Sequence, residues 1–120
     1  MGLFDRFRQK PVDTHKHEPV DIPEKIERGG RTYERKSFFD DVELEAVTDY
    51  EFLENHDPIT FTEDGRTIHA FFDEAIDVGI VTNPLVTEKI REYLESGEPY
   101  LCSIRTRNMT LRIGFYEPEG

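Results

Sequence analysis

A single cysteine, Cys102, is all the thiol chemistry the sequence holds. No intramolecular disulfide framework can form from it, which fits a reducing compartment, and we expect a cytoplasmic protein in which Cys102 is a small core hydrophobe of a strand. No run of 18 apolar residues is present and no apolar signal core follows the start, so stable membrane insertion is not expected. Arg6 stands where the myristoylation pattern after Gly2 needs Ser or Thr. A Gly-rich phosphate loop, G-x-S-x-G and H-E-x-x-H are all missing. Glu63-Asp64-Gly65 does not supply the ligand spacing of a calcium loop.

Basic residues are scarce as well: 15 Lys and Arg stand against 26 Asp and Glu, for a formal net charge of −11. The excess is concentrated, since residues 41–100 alone carry −13. Such a surface repels phosphate backbones and anionic lipid, so any nucleic-acid contact requires a local basic stripe. Catalysis by carboxylates needs two of them held at fixed separation in a cleft, and Asp40-Asp41, Asp57 and Asp73-Glu74 show no such pairing. They read as a solvated acidic face, and we expect no enzyme, cofactor or metal.

At 120 residues the chain has room for one domain, and nine Phe and five Tyr supply a modest aromatic-rich core. MGLFDRFRQK spaces Leu3, Phe4 and Phe7 for an amphipathic turn, too short to hold a helix alone. Residues 11–30 carry Pro11, Pro19 and Pro23 and end on Gly29-Gly30, which reads as an extended linker with at most one helical turn over Pro23 to Arg28. His15 and His17 form an H-x-H pattern there, but no Cys or carboxylates converge with them, so they read as solvated linker side chains. The expected division is a flexible arm and linker over 1–30 and one domain over 31–120.

From Arg31 onward short segments alternate with period two. Val42, Leu44 and Ala46 alternate with Glu43 and Glu45, as in a half-buried strand. Ile59 to Thr62 and Thr67 to Asp73 bracket Asp64-Gly65, the signal of a tight hairpin, and Ile76 to Val81 follows as another strand. Asn83 as cap, Pro84 at the first helical position and Gly97 as terminator define a helix over 84–96, with Val86, Ile90, Tyr93 and Leu94 on one stripe. Tyr100 to Arg107 and Met109 to Tyr116 close the chain as a second hairpin. One helix cannot serve a doubly wound fold, so we expect an α+β domain: a small, mostly antiparallel β-barrel or strongly curved sheet of five to six strands.

One cluster opposes the net charge. Arg105 and Arg107 project from one strand of the final hairpin near Arg112 on its neighbour, a cationic patch beside Tyr116, and arginine with aromatic rings on a sheet face is how small barrels hold single-stranded nucleic acid. The plainer account pairs these arginines with the protein's own Glu43 and Glu45. His56 and His69, in a loop and a strand, read singly as surface or core residues.

Asn55-His56-Asp57-Pro58 with Ile59, Gly79-Ile80-Val81 leading to Pro84, and Tyr93-Leu94 before Gly97 together resemble the HIRAN domain over residues 42–116. That family is a small β-barrel with one helix, found alone in bacteria and attached to helicases and nucleases elsewhere. The resemblance implies binding of the free 3′ end of single-stranded DNA, with His56 and Asp57 near the end-binding pocket. The expected function is thus a non-catalytic binding module, whose partner is a protein or a single-stranded nucleic-acid end. Its candidate residues are His56, Asp57, Arg105, Arg107, Arg112 and Tyr116. The alternative is an acidic inhibitor or immunity-type protein, whose carboxylate-rich middle meets a basic partner.

Overall fold

Gly29 and Gly30 both adopt positive φ, +59° and +77°, the two-residue turn whose twist matches that of paired strands. The turn joins β1 (Lys25–Arg28) to β2 (Arg31–Glu45), so a strand stands where the sequence allowed a helical turn. In this computed structural model, which describes residues 20–45 and 51–119, β3 (Ile59–Asp64), β4 (Thr67–Phe72), β5 (Ile76–Val81), α1 (Pro84–Ser96), β6 (Tyr100–Arg105) and β7 (Thr110–Pro118) follow. The MGLFDRFRQK segment, His15, His17 and Ala46 lie outside the described residues.

The strands form one seven-stranded sheet in the order β3-β4-β5-β2-β7-β6, with β1 added on β2, and all these pairings are antiparallel. With α1 this is an α+β fold. It has more strands than expected because Lys25–Arg28, which the flanking Pro and Gly-Gly present as linker, is a strand. The sheet is not a closed barrel: Pro58 and Ser103 make one isolated bridge between the segment before β3 and β6, and no ladder extends from it.

Fifteen residues of β2 serve both halves of the sheet. Residues 33–43 pair with β7, while Leu44 and Glu45 pair with β5. Its register with β7 shifts between Arg35 and Ser37 and again between Phe39 and Val42. The second irregularity contains Asp41 at φ +54°, and such a bulge bends a strand and re-aims its side chains.

The remaining elements follow local chemistry. Gly65, at φ +63°, opens the β3–β4 turn. Asn83 Oδ1 accepts from the N–H groups of Leu85 and Val86 at 3.0 and 3.2 Å, while Gly97 closes α1 in the left-handed region. Val86, Ile90 and Tyr93 of the helix are buried, and the Tyr93 ring lies 4.8 Å from that of Phe115 on β7. Cys102 is buried among them, and burial pushes its thiol up, away from the reactive thiolate.

Residues 20–24, just before β1, are part of the fold. Ile22 is 4% exposed and lies over β7 at Gly114, where a Cβ would overlap its Cγ2. Its carbonyl accepts from Arg35 Nη1 at 2.8 Å, and the carbonyl of Pro23 accepts from the Tyr116 hydroxyl at 2.5 Å. Residues 20–24 thus form a strap across the outer face of the sheet. No helix of the described residues is long and apolar enough to cross a membrane.

Candidate functional site

Strand alternation separates the β6–β7 hairpin into two faces. Cys102, Ile104, Leu111 and Ile113 go to the core, so Ser103, Arg105 and Arg112 are on the other face. Ser103 stands opposite Arg112, and Arg105 stands opposite Thr110. The two arginines therefore share a face, as their spacing implied, while Arg107 lies in the exposed loop that follows.

Arg105, Arg107 and His56 line a cleft of about 550 Å3 together with Asp41, Asn55 and Asn108. Two of these residues, Asp41 at φ +54° and His56 at φ +72°, hold backbone conformations that side chains disfavour, and Met109 beside Asn108 sits at φ +55°. Strained backbone of this kind persists where neighbouring contacts enforce it and concentrates at functional sites. Around His56 the enforcing contacts are plain: its N–H donates to the carbonyl of Ile104 at 2.7 Å, and its carbonyl accepts from Val20 at 2.8 Å.

Arg112 Nη1 lies 3.4 Å from His56 Nδ1. A guanidinium only donates, so in this contact Nδ1 is the acceptor. The Arg112 guanidinium also lies 5.7 Å from the centre of the Phe38 ring, and that of Arg35 lies 4.9 Å from it. Phe38 remains 40% exposed, an aromatic side chain left at the surface beside two cations. A continuous chain of contacts thus runs from Arg35 through Phe38 and Arg112 to His56 at the cleft.

Among the described residues, the carboxylate paired with this cluster is Asp40. Its Oδ2 lies 3.2 Å from Arg105 Nη2 and its Oδ1 accepts from the N–H of Asp41 at 2.8 Å. The sequence pointed to Glu43 and Glu45 for that role. The bulge at Asp40-Asp41 brings the earlier carboxylate to the arginine instead.

Two of the sequence candidates are placed differently from the rest. Asp57 is 7% exposed, and its Oδ2 accepts from the N–H of Glu54 at 2.8 Å, so its carboxylate fixes the turn that carries His56. Tyr116 is fully buried with its hydroxyl on Pro23, and it anchors the strap rather than facing the cleft. Arg35 and Phe38 were not singled out from the sequence, because the bulges in β2 hide which face each residue takes.

No family model matches the chain, and no curated protein or solved structure matches it either. The site must therefore be read from its own chemistry. His69, on β4, belongs to a different surface: its Nδ1 is 2.8 Å from Asp77 Oδ2, beside a cleft of about 300 Å3. Among the described residues no three His, Cys, Asp or Glu side chains are grouped to hold a metal ion.

Proposed function

We propose that the domain is a non-catalytic binding module that takes the end of a single nucleic-acid strand on the face formed by Phe38, His56, Arg35, Arg105, Arg107 and Arg112. One observation carries the reading: an exposed phenyl ring has two guanidinium groups 4.9 and 5.7 Å from its centre, beside a cleft that holds two further arginines. A nucleobase stacks on an aromatic face, the neighbouring phosphates meet arginine, and neither contact needs a particular base. That this cluster persists in a chain of net charge −11 also supports a role for it, since only local cations offset the surrounding repulsion.

The likeness of Asn55 to Ile59 to the HIRAN motif fits the same reading, because that stretch carries His56 into the cleft. Under it, the Pro58–Ser103 bridge is where the two edges of the open, strongly curved sheet approach each other. Asp40, Asp41 and the rest of the acidic surface keep the affinity low, so the module works with a tethered partner or at high local concentration.

Fluorescence anisotropy with short single-stranded oligonucleotides at low salt tests this directly. Binding is expected to fall as salt rises, and a free 3′ hydroxyl should bind more tightly than a blocked end. No anisotropy change at low salt would end the nucleic-acid reading. The acidic protein-interaction reading would then lead, its contact surface being the exposed carboxylates of Asp40, Asp41, Glu43 and Glu45.

A further inference from the structure

Among the described residues, three side-chain polar atoms are shut off from solvent without a hydrogen-bond partner: Ser103 Oγ, Arg105 Nε and Arg112 Nε. They are neighbours. Ser103 and Arg112 face each other across the β6–β7 ladder, and Arg105 follows Ser103 two residues along the same strand. Directly opposed residues hold their Cβ atoms about 5 Å apart and diagonal ones about 7–8 Å. Ser103 itself is fully buried, although it points away from the core, and Arg105, its neighbour on that face, lines the cleft.

Folded proteins pair nearly all their buried polar groups, so orphans gathered at one spot mark a place where a complementary group belongs. All three atoms donate, and the arginine nitrogens can do nothing else. Their common complement is an oxyanion, and a guanidinium presents its Nε–H and a terminal N–H to one in a bidentate fork.

We propose that Ser103, Arg105 and Arg112 form a phosphate subsite next to the cleft that Arg105 lines. The Ser103 hydroxyl and the two Nε–H groups are its donors, and Asp40 is the ligand's internal competitor. The source of the phosphate, a nucleic-acid strand, rests on the function proposed above; the subsite itself does not. Asp40 holds only Nη2 of Arg105, at 3.2 Å, with both side chains about two-fifths exposed. Ion pairs this exposed are weak and screened by salt. A phosphate oxygen replaces Asp40 on Arg105, the guanidinium turns, and its Nε–H and the Ser103 hydroxyl become available.

Nitrogen-edited NMR of the full chain, titrated with inorganic phosphate against chloride at matched ionic strength, tests the subsite. Saturable shifts of the Arg105 and Arg112 Nε–Hε signals are expected. Ser103→Ala should weaken phosphate binding about tenfold, the effect of one hydrogen bond to a charged group, and Asp40→Asn should tighten it several-fold. Arg112→Lys keeps the charge but not the fork, and should weaken binding even if Ser103→Ala perturbs the fold. Unmoved Nε signals, or unchanged affinity in both Ser103→Ala and Arg112→Lys, overturn the proposal. If phosphate binds but oligonucleotides do not, the subsite stands and the nucleic-acid reading falls. Should oligonucleotides shift Phe38 and His56 while both Nε signals stay in place, the nucleic-acid reading stands and the subsite falls.

Discussion

The backbone N–H of Val20 donates to the carbonyl of His56 at 2.8 Å, so the segment entering β1 is fastened to a residue of the candidate site. That hydrogen bond is one end of the strap over β7. The other contacts are Ile22 on Gly114, Arg35 on the carbonyl of Ile22, and Tyr116 on that of Pro23.

A chain begun at Lys25 should therefore be less stable than one begun at Val20. Losing the buried Ile22 side chain costs about 2 kcal/mol of apolar burial, and leaving the Tyr116 hydroxyl without its acceptor adds about 1–3 kcal/mol. Urea unfolding of the two chains measures the difference. Equal midpoints would show that the strap is an ornament of the fold. Gly114→Ala probes the same contact from beneath, and the forced overlap should cost about 1–3 kcal/mol.

The helix stripe predicts a graded series. Ile90 is 1% exposed, and Ile90→Ala should cost about 2–5 kcal/mol. Leu94 is only partly buried against the core, so its truncation should cost less. Leu85 is 72% exposed, and Leu85→Ala should stay within about 0.5 kcal/mol of the parent. Thermal or urea melts in which Leu85 outranks Ile90 would reverse the helix's orientation on the sheet.

Where chemistry is local, the sequence was sufficient. Asn83-Pro84 and Gly97 delimit α1 because caps depend on single side chains and one backbone conformation, and Asp64-Gly65 marks its turn for the same reason. β1 escaped because three prolines nearby suggested a linker, although Gly29-Gly30 between alternating residues is also a hairpin signal. In β2 the obstacle was physical: two register shifts break the period-two pattern on which strand reading relies. The second shift sends Asp40, rather than Glu43, to Arg105, and Phe38 between the two shifts is left at the surface, so Arg35 and Phe38, two of the six residues of the proposed face, are legible only in three dimensions.

Alkaline pH should destabilise the fold, and Tyr93 contributes to that. Burial, then the hydrogen bond it donates to Glu117 at 2.6 Å, then the nearby carboxylates hold its phenol well above the ordinary 10.0. A group whose folded-state pKa is raised binds its proton more tightly when folded. Its stabilising effect is complete below the unfolded pKa and is lost as pH rises beyond it. Cys102, Tyr100 and Tyr116 are raised too, burial being the first cause in each. Stability should hold up to about pH 9 and decline above it. Tyr93→Phe should make that decline shallower, as read from urea midpoints across the alkaline range; an unchanged slope would remove Tyr93 from the account.

Stacking and charge at the cleft should separate experimentally. Each phosphate neutralised by an arginine releases counterions and contributes roughly −0.7 to the logarithmic salt slope for a single strand, so Arg105, Arg107 and Arg112 together give about −2. Changing all three to Ala should abolish binding, and changing Arg107 alone should reduce the slope by roughly 0.7. Phe38 releases no ions. Phe38→Ala should weaken binding by about 1–3 kcal/mol, the contribution of one stacked base, while leaving the slope unchanged. Because Phe38 is exposed, the substitution should leave the fold intact, which an unchanged melting curve would confirm. Anisotropy titrations at several salt concentrations read both quantities from one data set. A Phe38→Ala protein that binds as tightly as the parent would reduce the site to a purely electrostatic one, and an unaltered slope in Arg107→Ala would place the strand elsewhere.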